Sequence, residues 1–370
     1  MPRYVELMHN ENTSIVIPTY VERDNIRGLL EQIHRSMEPL GCAFEIIFVD
    51  DDGPNETWNV ASQYADRYPV RVIRRQGERG LAAAVLRGIR AAKYDMIVVM
   101  NADLGHAPEN APELISRVEN GADIAIGSRC ATPGASDRPS FLQQITRKGA
   151  DLFVRTLFRG VRDVTDVQAG FFAFRKDVVT RANLNPVGDN ILLEILVQGN
   201  YDSVSEVKYD AGKRDASERE GRANIKAYDL RHLSSLFWRS GEFHRFLKFC
   251  AVGAVGAVLN LVVLYSLTEL GMFYLLSGFI AIEAAVLSNF FLNRAWTFRD
   301  TGTKGLRSVL TALYRDHAVR FVGIVLDLVI LGLLTSVFGL YYLTSQVIGI
   351  AVAMLWNYGG NQWWTWEHNL

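Results

Sequence analysis

The chain has 370 residues, a formal net charge of -1 at pH 7 and 49% hydrophobic residues. This charge excludes a protein that binds nucleic acid through bulk positive charge, so we expect no nucleic-acid partner. The cysteines Cys42, Cys130 and Cys250 are too few and too scattered for a disulfide framework or a zinc site. Up to about residue 240 the sequence is ordinary and globular, whereas long apolar runs dominate the remainder, so the length predicts two domains.

The N-terminal part alternates short apolar runs with amphipathic stretches. The runs at residues 14–20, 44–49, 70–73 and 96–100 predict buried strands. Apolar residues at helical spacing predict helices over residues 22–40 and 80–92, with a further helix around Val60 and Tyr64. Alternating strands and helices imply an α/β fold with a parallel sheet and helices on both of its faces.

Polar residues follow three of these strands, as Pro18-Thr19-Tyr20, Asp50-Asp51 and Asn101-Ala102-Asp103. The carboxyl ends of parallel strands meet at one edge of a sheet, where open α/β sheets bind ligands. For Asp103 taken alone, capping of the following helix is the alternative interpretation. Acidic groups that lie close together repel unless a cation lies between them. Mg²⁺ or Mn²⁺ held by one or two carboxylates and by substrate phosphates fits this arrangement.

Two common phosphate-binding motifs are missing from the sequence. No Gly-x-Gly-x-x-Gly follows the first predicted strand, and there is no Gly-x-x-x-x-Gly-Lys loop. Their absence disfavours a dinucleotide-dependent oxidoreductase and a P-loop kinase.

Several short motifs together carry a family resemblance. They are Ile15-Val16-Ile17-Pro18-Thr19-Tyr20-Val21-Glu22, Val49-Asp50-Asp51 with Pro54 and Thr57, Arg79-Gly80-Leu81, Asn101-Ala102-Asp103-Leu104, Gly127-Ser128-Arg129 and Ala169-Gly170-Phe171-Phe172-Ala173-Phe174-Arg175. Their order and spacing resemble family 2 of the inverting glycosyltransferases, above all the dolichol-phosphate mannose synthases and related polyprenyl-phosphate glycosyltransferases. The resemblance covers about residues 12 to 230 and implies a GT-A, Rossmann-like domain.

The resemblance also implies roles for individual residues. Pro18, Tyr20, Glu22 and Asp50 would hold the nucleoside, and Asn101, Ala102 and Asp103 the diphosphate with its Mg²⁺ or Mn²⁺. Asn101 and Asp103 are then the metal ligands, and Arg129 lies near the phosphates. Catalysis is assigned to Asp51, Asp103 and Arg129.

The sequence departs from the family pattern at three places. Asn101 stands where the family usually has the first Asp of an Asp-Ala-Asp motif, and Gly105 stands where relatives often have Gln. The late motif, usually Arg followed by Gly-x-Ser-Lys, is blurred between Lys213 and Asn224. Because an amide oxygen binds a hard cation more weakly than a carboxylate does, we expect weakened or altered metal use.

Transfer to a lipid phosphate needs charge neutralisation more than a strong base. A phosphate monoester has a second pKa of about 6, so the attacking oxygen is already anionic at neutral pH. Two phosphate-bearing substrates must be held together, which calls for basic residues. The candidates are Arg129, Arg147, Lys148, Arg214, Arg219, Arg222 and Lys226, of which we assign Arg214 and Lys226 to substrate binding. Glu194 is alone in an apolar helical run, either as a helix-surface carboxylate or as a polar wall of the acceptor pocket.

The C-terminal part predicts a membrane domain. Residues 231–248 mix aromatic and basic side chains, as an interfacial amphipathic helix does. Apolar segments at 249–268, 273–291, 321–338 and 342–356 predict four transmembrane helices. Basic residues lie between the second and third segments, and no basic segment followed by an apolar one opens the chain. We therefore expect both termini and the catalytic domain to be cytoplasmic, with no cleavable signal peptide.

The membrane domain contains an internal repeat. Residues 256–264 match residues 323–331, and Asn289, Asn293 and Trp296-Thr297-Phe298 match Asn357, Asn361 and Trp364-Thr365-Trp366. This pattern resembles the GtrA-like membrane family, which accompanies polyprenyl-phosphate sugar transferases. Glu283 and Asp327 lie within the predicted spans, and they either form a polar path or a head-group site or pair with Asn260 or Asn289.

We therefore expect a cytosolic GT-A domain over residues 1–228, an interfacial helix over 229–248 and a GtrA-like domain over 249–370, with repeated hairpins at about 249–294 and 318–366. The leading hypothesis is inverting transfer of mannose from GDP-mannose to dolichyl or polyprenyl phosphate at the membrane. The alternatives are a glucosyltransferase that uses UDP-glucose and an impaired transferase that binds or translocates lipid-linked sugars. Processive polysaccharide synthesis is disfavoured because the Gln-x-x-Arg-Trp motif is absent.

Overall fold

The computed structural model describes residues 11–77, 79–102, 108–130, 154–185, 188–210, 230–299 and 305–366, and only the backbone of residues 129, 130, 210 and 230. The chain forms two compact units. The first unit comprises Met1–Asp151 and Asp163–Leu236, and the second comprises Leu152–Arg162 and Phe237–Leu370.

The first unit is built on a seven-stranded sheet with the strand order β3-β2-β1-β4-β6-β5-β7. The strands are β1 Thr13–Thr19, β2 Phe44–Asp50, β3 Val70–Arg74, β4 Met96–Val99, β5 Ile124–Cys130, β6 Phe172–Arg175 and β7 Val204–Asp210. β1 pairs in parallel with both β2 and β4, and β2 pairs in parallel with β3. Every residue of β1 and β4 is buried, which is why these strands are continuous apolar runs rather than alternating ones.

One strand departs from the predicted parallel arrangement. β6 lies antiparallel to both β4 and β5, with Met96 opposite Arg175 and Val99 opposite Phe172. Its first three residues, Phe172, Ala173 and Phe174, are apolar and buried, but an apolar run does not encode strand direction. The prediction of an α/β fold with a mainly parallel sheet is confirmed, and β6 is the exception.

The helices include those predicted near residues 22–40, 60–64 and 80–92, together with Ala111–Glu119 and Asp177–Thr180, which were not predicted. They are α1 Ile26–Met37, α2 Thr57–Ser62, α3 Leu81–Ala91, α4 Ala111–Glu119, α5 Asp177–Thr180, α6 Ile191–Gln198, α7 Leu230–Arg239, α8 Glu242–Glu269, α9 Tyr274–Leu292, α10 Leu306–Ser336 and α11 Tyr342–Gly360. A further helical turn covers residues 154–157. α1 presents Leu29, Leu30 and Ile33 to a core that it shares with the sheet. The helix expected over residues 22–40 is shorter because 3-10 turns flank α1 on both sides.

The amphipathic stretch expected over residues 229–248 is divided between two helices. α7 ends at Arg239, and α8 begins at Glu242 after Gly241, whose φ of 78° is left-handed. Glycine adopts this conformation without a steric penalty, so the chain turns here. Arg307, Arg315 and Arg320, which precede the third apolar segment, also lie in helix, because α10 begins at Leu306.

In the described part of the second unit, three helices are long and apolar enough to cross a membrane, over Glu242–Glu269, Tyr274–Thr297 and Leu306–Ser336. α11 is the fourth predicted span and has 19 residues. Thr344, Ser345 and Gln346 in its first turns lower its hydropathy, so its crossing stays a prediction.

The two repeats have matching geometry. α8 packs against α9, and α10 packs against α11. Each hairpin ends in a five-residue π-helical turn, Asn293–Thr297 in the first and Asn361–Thr365 in the second. The aromatic residues that close these turns, Phe298 and Trp366, stack with ring centroids 5.7 Å apart in the core of this unit.

Candidate active site

The ends of β1 and β2 meet at the centre of the sheet edge. Thr19 lies opposite Asp50 in the parallel register, and its hydroxyl donates to Asp50 Oδ2 at 2.9 Å. The backbone N–H of Asp52 donates to Asp50 Oδ1 at 3.0 Å. Both oxygens of this fully buried carboxylate therefore have a donor, which fixes the orientation of the Asp50 side chain.

The ionised form of Asp50 is disfavoured in the folded protein. Burial raises the pKa of the Asp50 carboxyl above its ordinary value, and the negative charge of Glu22 raises it further. The hydrogen bond from Thr19 opposes this shift only in part. Asp50 is thus a desolvated acceptor beside a second carboxylate, an arrangement that favours a ligand with hydrogen-bond donors.

Glu22 shapes the loop that follows β1. Its Oε2 accepts the backbone N–H groups of Tyr20 at 2.7 Å and Val21 at 2.9 Å. The guanidinium of Arg79 lies 5.4 Å from the centroid of the Tyr20 ring, within the range of a cation–π contact. The structure thus brings together Tyr20, Glu22 and Asp50, three of the residues predicted to hold the nucleoside, and Pro18 lies in β1 opposite Val49.

The loop after β2 packs directly on the loop after β1. Gly53 touches the backbone of Tyr20, and a Cβ at Gly53 would overlap the Tyr20 carbonyl oxygen. The neighbouring Asp52 takes a positive φ of 55°, which costs a non-glycine residue energy. Close packing of the two loops leaves room for glycine alone at position 53.

Asp51 makes contacts that hold the backbone together. Its Oδ1 accepts from Arg75 Nη1 at 2.8 Å, and its Oδ2 accepts the backbone N–H of Gly80 at 2.8 Å. The side chains of Asp51 and Arg75 are only 8% and 6% exposed. This pair ties the end of β2 to the start of α3, and the catalytic role assigned to Asp51 stays a prediction.

The third strand end lies on the other side of β1. Beyond β4, the N–H of Met100 donates to the Val16 carbonyl at 3.2 Å, so the chain continues along β1 to Asn101 and Ala102. Asn101 is half-buried and Ala102 is buried. Since β2, β1 and β4 are adjacent in the sheet, the three predicted strand ends meet at one edge.

Several predicted site residues lie outside the described part of the chain. They are Asp103, Arg147, Lys148, Arg214, Arg219, Arg222 and Lys226, and Arg129 is described at the end of β5 by its backbone alone. Among the described residues no group of three or more His, Cys, Asp or Glu side chains could hold a metal ion. The predicted ligands, an amide oxygen at Asn101 and a carboxylate at Asp103, form a hard oxygen set that fits Mg²⁺ or Mn²⁺ with phosphates completing the coordination.

Glu194 is not a surface residue. It is fully buried, its Oε2 lies 2.8 Å from His232 Nε2, and its Oε1 accepts the N–H of Asn185 at 2.9 Å. The interpretation of Glu194 as a helix-surface carboxylate is therefore wrong. His232, which sequence reasoning missed, lies on α7 and is 3% exposed.

Arg75 was also missed by sequence reasoning, and Arg79 was noted only within the motif Arg79-Gly80-Leu81, without a role of its own. Both follow β3, the neighbour of β2, so the rule that singled out the other strand ends extends to them. The contact of Arg75 with Asp51 and the contact of Arg79 with Tyr20 each join segments that are far apart in sequence.

A mainly parallel sheet with carboxylates at adjacent strand ends, followed by long apolar helices, defines a membrane-bound enzyme of the GT-A glycosyltransferase class. Family models agree with this assignment. The model described as glycosyl transferase family 2 matches residues 14–181, and the model described as GtrA/DPMS, transmembrane domain, matches residues 248–366.

Curated relatives narrow the class further. The dolichol-phosphate mannosyltransferase of Pyrococcus furiosus is 38% identical, over 95% of this chain and 99% of that protein. The Saccharomyces cerevisiae protein of the same name is 30% identical over 60% of this chain and 86% of its own length. The polyprenol monophosphomannose synthase of Mycolicibacterium smegmatis is 33% identical over 48% of this chain and 66% of its own.

The chain therefore belongs to the dolichol-phosphate mannosyltransferase family, in which a family 2 glycosyltransferase domain is joined to a GtrA/DPMS transmembrane domain. It is a membrane glycosyltransferase of lipid-linked sugar synthesis, and both predicted resemblances are confirmed. Among solved structures, the glucosyl-3-phosphoglycerate synthase of Mycobacterium tuberculosis in complex with Mn²⁺, UDP-glucose and phosphoglyceric acid is similar with a TM-score of 0.49. It is 17% identical, over 65% of this chain and 85% of that one.

Proposed function

We propose that this chain transfers mannose from GDP-mannose to dolichyl or another polyprenyl phosphate, with inversion at the anomeric carbon. The observation that carries the proposal is the 38% identity to a dolichol-phosphate mannosyltransferase along 95% of the chain. The buried carboxylate of Asp50 beside Glu22 supports it, because guanine offers more N–H donors to such acceptors than uracil does.

The residues at the sheet edge position the donor. Asp50, Glu22 and Tyr20 bind the nucleoside, with Glu22 holding the loop and Arg79 supporting the Tyr20 ring. Asn101 and Asp103 hold Mg²⁺ or Mn²⁺, which would neutralise the leaving diphosphate. Arg129, Arg214 and Lys226 hold the acceptor phosphate, whose oxygen is anionic at neutral pH and needs no strong base.

The direct test uses the purified full-length chain with radiolabelled GDP-mannose, polyprenyl phosphate and Mg²⁺ or Mn²⁺. We expect a lipid-extractable mannosyl product that disappears with EDTA and returns when the metal is restored. Asp103→Ala is expected to abolish turnover. The proposal fails if no labelled lipid forms under any of these conditions.

We further propose the arrangement of the chain in the membrane. Residues 1–228 form the cytoplasmic transferase, residues 229–248 lie at the interface, and residues 249–370 form four spans with both termini cytoplasmic. Cys42 provides the test, since it lies in the first unit and is partly exposed. With Cys42 as the only cysteine, an impermeant maleimide should label inside-out vesicles and leave sealed right-side-out vesicles unlabelled. The reverse pattern would overturn this topology.

Asn101 favours a second candidate function. A metal site that lacks one carboxylate binds its cation more weakly, which suits a protein that binds the sugar nucleotide or lipid-linked sugar without efficient turnover. Tight binding of GDP-mannose by calorimetry with no transfer in the assay above would favour this function. Measurable transfer counts against it.

A further inference from the structure

The four long helices of the second unit border a cavity of about 380 Å³. Its lining includes Phe249 and Cys250 near the start of α8, Asn289 near the end of α9, Arg320 and Asp327 on α10, and Asn357 near the end of α11. α8 and α10 begin, and α9 and α11 end, at the same end of the bundle. The cavity lies toward that end.

The lining carries hydrogen-bond acceptors in an otherwise apolar bundle. Asn289 and Asn293 are only 8% and 1% exposed, and their side-chain oxygens have no hydrogen-bond partner among the described residues. Within the same part of the chain, the side-chain oxygen of Asn357 is also buried without a donor. Burying such oxygens without a donor is unfavourable, so the cavity favours a ligand that donates hydrogen bonds.

Two charged residues add to this lining. Arg320 Nε donates to Asp316 Oδ2 at 2.7 Å, and its buried Nη2 has no acceptor within the described ranges. The Asp327 carboxylate accepts from Gln346 Nε2 at 3.0 Å, rather than from Asn260 or Asn289 as the sequence suggested. Amide and carboxylate acceptors beside a guanidinium suit hydroxyl groups, which both donate and accept, together with a phosphate.

The amides are held in place by a feature that occurs in both repeats. A Cβ at Gly256 would overlap the Asn289 amide, and a Cβ at Gly323 would overlap the Asn357 amide. Each hairpin therefore seats an asparagine against a glycine of its partner helix. Asn293 also begins a π-helical turn, a geometry found frequently at functional sites.

We propose that this cavity binds the glycosyl phosphate head group of a lipid. Hydroxyl groups of the sugar donate to the side-chain oxygens of Asn289, Asn293 and Asn357, and the phosphate faces Arg320. A cavity of this volume lies within the range of small-ligand sites. The lipid chain packs against apolar residues exposed on the helices, such as Leu261 on α8. Only the choice of a mannosyl lipid as the probe rests on the proposed function.

Cys250 provides a reporter for this site. It lines the cavity and is partly exposed, so its rate of alkylation reports whether the cavity is filled. The full-length chain with Cys42→Ser and Cys130→Ser is placed in lipid nanodiscs, because detergents with sugar head groups would compete. Alkylation of Cys250 by N-ethylmaleimide is then followed with added mannosyl-phosphoryl polyprenol, polyprenyl phosphate, mannose 1-phosphate or phosphatidylglycerol.

We expect the mannosyl lipid to slow alkylation at least fivefold, with a much smaller effect of polyprenyl phosphate and none of phosphatidylglycerol. Alkylation of Cys250 at the same rate with the mannosyl lipid as with phosphatidylglycerol would show that the cavity does not select the mannosyl lipid, and would overturn the proposal. Equal protection by polyprenyl phosphate would overturn the role of the sugar. Equal protection by mannose 1-phosphate at the same concentration would overturn the role of the lipid.

A matched pair of glycine variants separates binding from folding. Both Gly253, which lines the cavity, and Gly332, which does not, have open space where a Cβ would lie. Gly253→Leu should fill the cavity, so that Cys250 is alkylated at the same rate with and without the mannosyl lipid. In Gly332→Leu the mannosyl lipid should still slow the alkylation of Cys250. Protection that persists in Gly253→Leu would contradict the proposal. Because the mannosyl lipid is added ready-made, this outcome is independent of whether the chain performs the transfer.

Discussion

The Glu194 carboxylate and the His232 imidazole lie 2.8 Å apart in the interior of the first unit, where the two side chains are 0% and 4% exposed. They join α6 to α7, the helix that leads along the chain to α8 and the membrane helices. This contact therefore fixes α7, the helix that precedes the membrane helices in the chain, against α6 of the first unit.

Removal of either partner should destabilise the first unit. Removing one partner of a buried hydrogen bond costs about 1–3 kcal/mol, because the remaining polar group loses that contact in the interior. We expect Glu194→Leu and His232→Leu each to lower the thermal midpoint of the full-length protein. In the double variant two apolar side chains replace the pair, so the loss should be smaller than the sum of the single losses. Additive losses in this double-mutant cycle would show that the contact contributes nothing.

Asp50→Asn should stabilise the nucleotide-free protein and weaken nucleotide binding. The folded protein raises the pKa of Asp50, so ionisation of this carboxyl lowers stability above the ordinary carboxyl pKa of about 3.9. The gain in thermal midpoint should therefore be present at pH 7 and should vanish as the pH falls toward that value. Loss of a charged hydrogen-bond acceptor should weaken binding of GDP-mannose about tenfold or more in calorimetry.

Asp52→Asn is the matched control for Asp50→Asn. Asp52 is 32% exposed and pairs with Arg74 at 2.7 Å, so its loss should change stability by less than about 1 kcal/mol. An equal effect of both variants would contradict the assignment of Asp50 to the nucleoside.

Gly53→Ala should disturb the donor site. The added methyl group would overlap the Tyr20 carbonyl oxygen, and relief of that overlap moves the loop that Glu22 holds. Overpacking of this kind costs about 1–3 kcal/mol. In steady-state kinetics we expect KM for the sugar nucleotide to rise several-fold, with a smaller change in kcat.

Gly28→Ala serves as the comparison for Gly53→Ala. A Cβ at Gly28 meets nothing within 4 Å, and the residue lies inside α1, so alanine should raise stability by roughly 0.5–1 kcal/mol. Unchanged kinetics in both variants would show that the contact between Gly53 and Tyr20 does not shape the donor site.

Asn101→Asp should restore a carboxylate to the metal site. We expect the concentration of Mn²⁺ or Mg²⁺ that gives half-maximal activity to fall by on the order of tenfold. Asn120→Asp, on the exposed end of α4, is the control and should leave the metal dependence unchanged. A metal dependence that is the same in wild type and Asn101→Asp would remove Asn101 from the metal site.

The sequence predicted what depends on local pattern, and it missed what depends on contacts between distant segments. The strands that end at Thr19 and Asp50 were predicted because a buried parallel strand is a continuous apolar run followed by polar residues. The antiparallel direction of β6 was not predicted, since a short apolar run such as Phe172-Ala173-Phe174 carries no sign of strand direction. The pairing of Asp51 with Arg75 depends on how β2, β3 and α3 pack, and no spacing rule along the chain encodes it.

Donor choice in the transfer reaction tests the central claim most directly. The full-length chain is incubated with polyprenyl phosphate, Mn²⁺ and equal concentrations of GDP-mannose or UDP-glucose, each labelled in the sugar, with Asp103→Ala as the inactive control. We predict a labelled lipid from GDP-mannose at a rate at least a hundredfold above that control, and little or none from UDP-glucose. The assignment would be contradicted if UDP-glucose gave a labelled lipid and GDP-mannose did not. It would also be contradicted if neither donor gave a labelled lipid above the Asp103→Ala background.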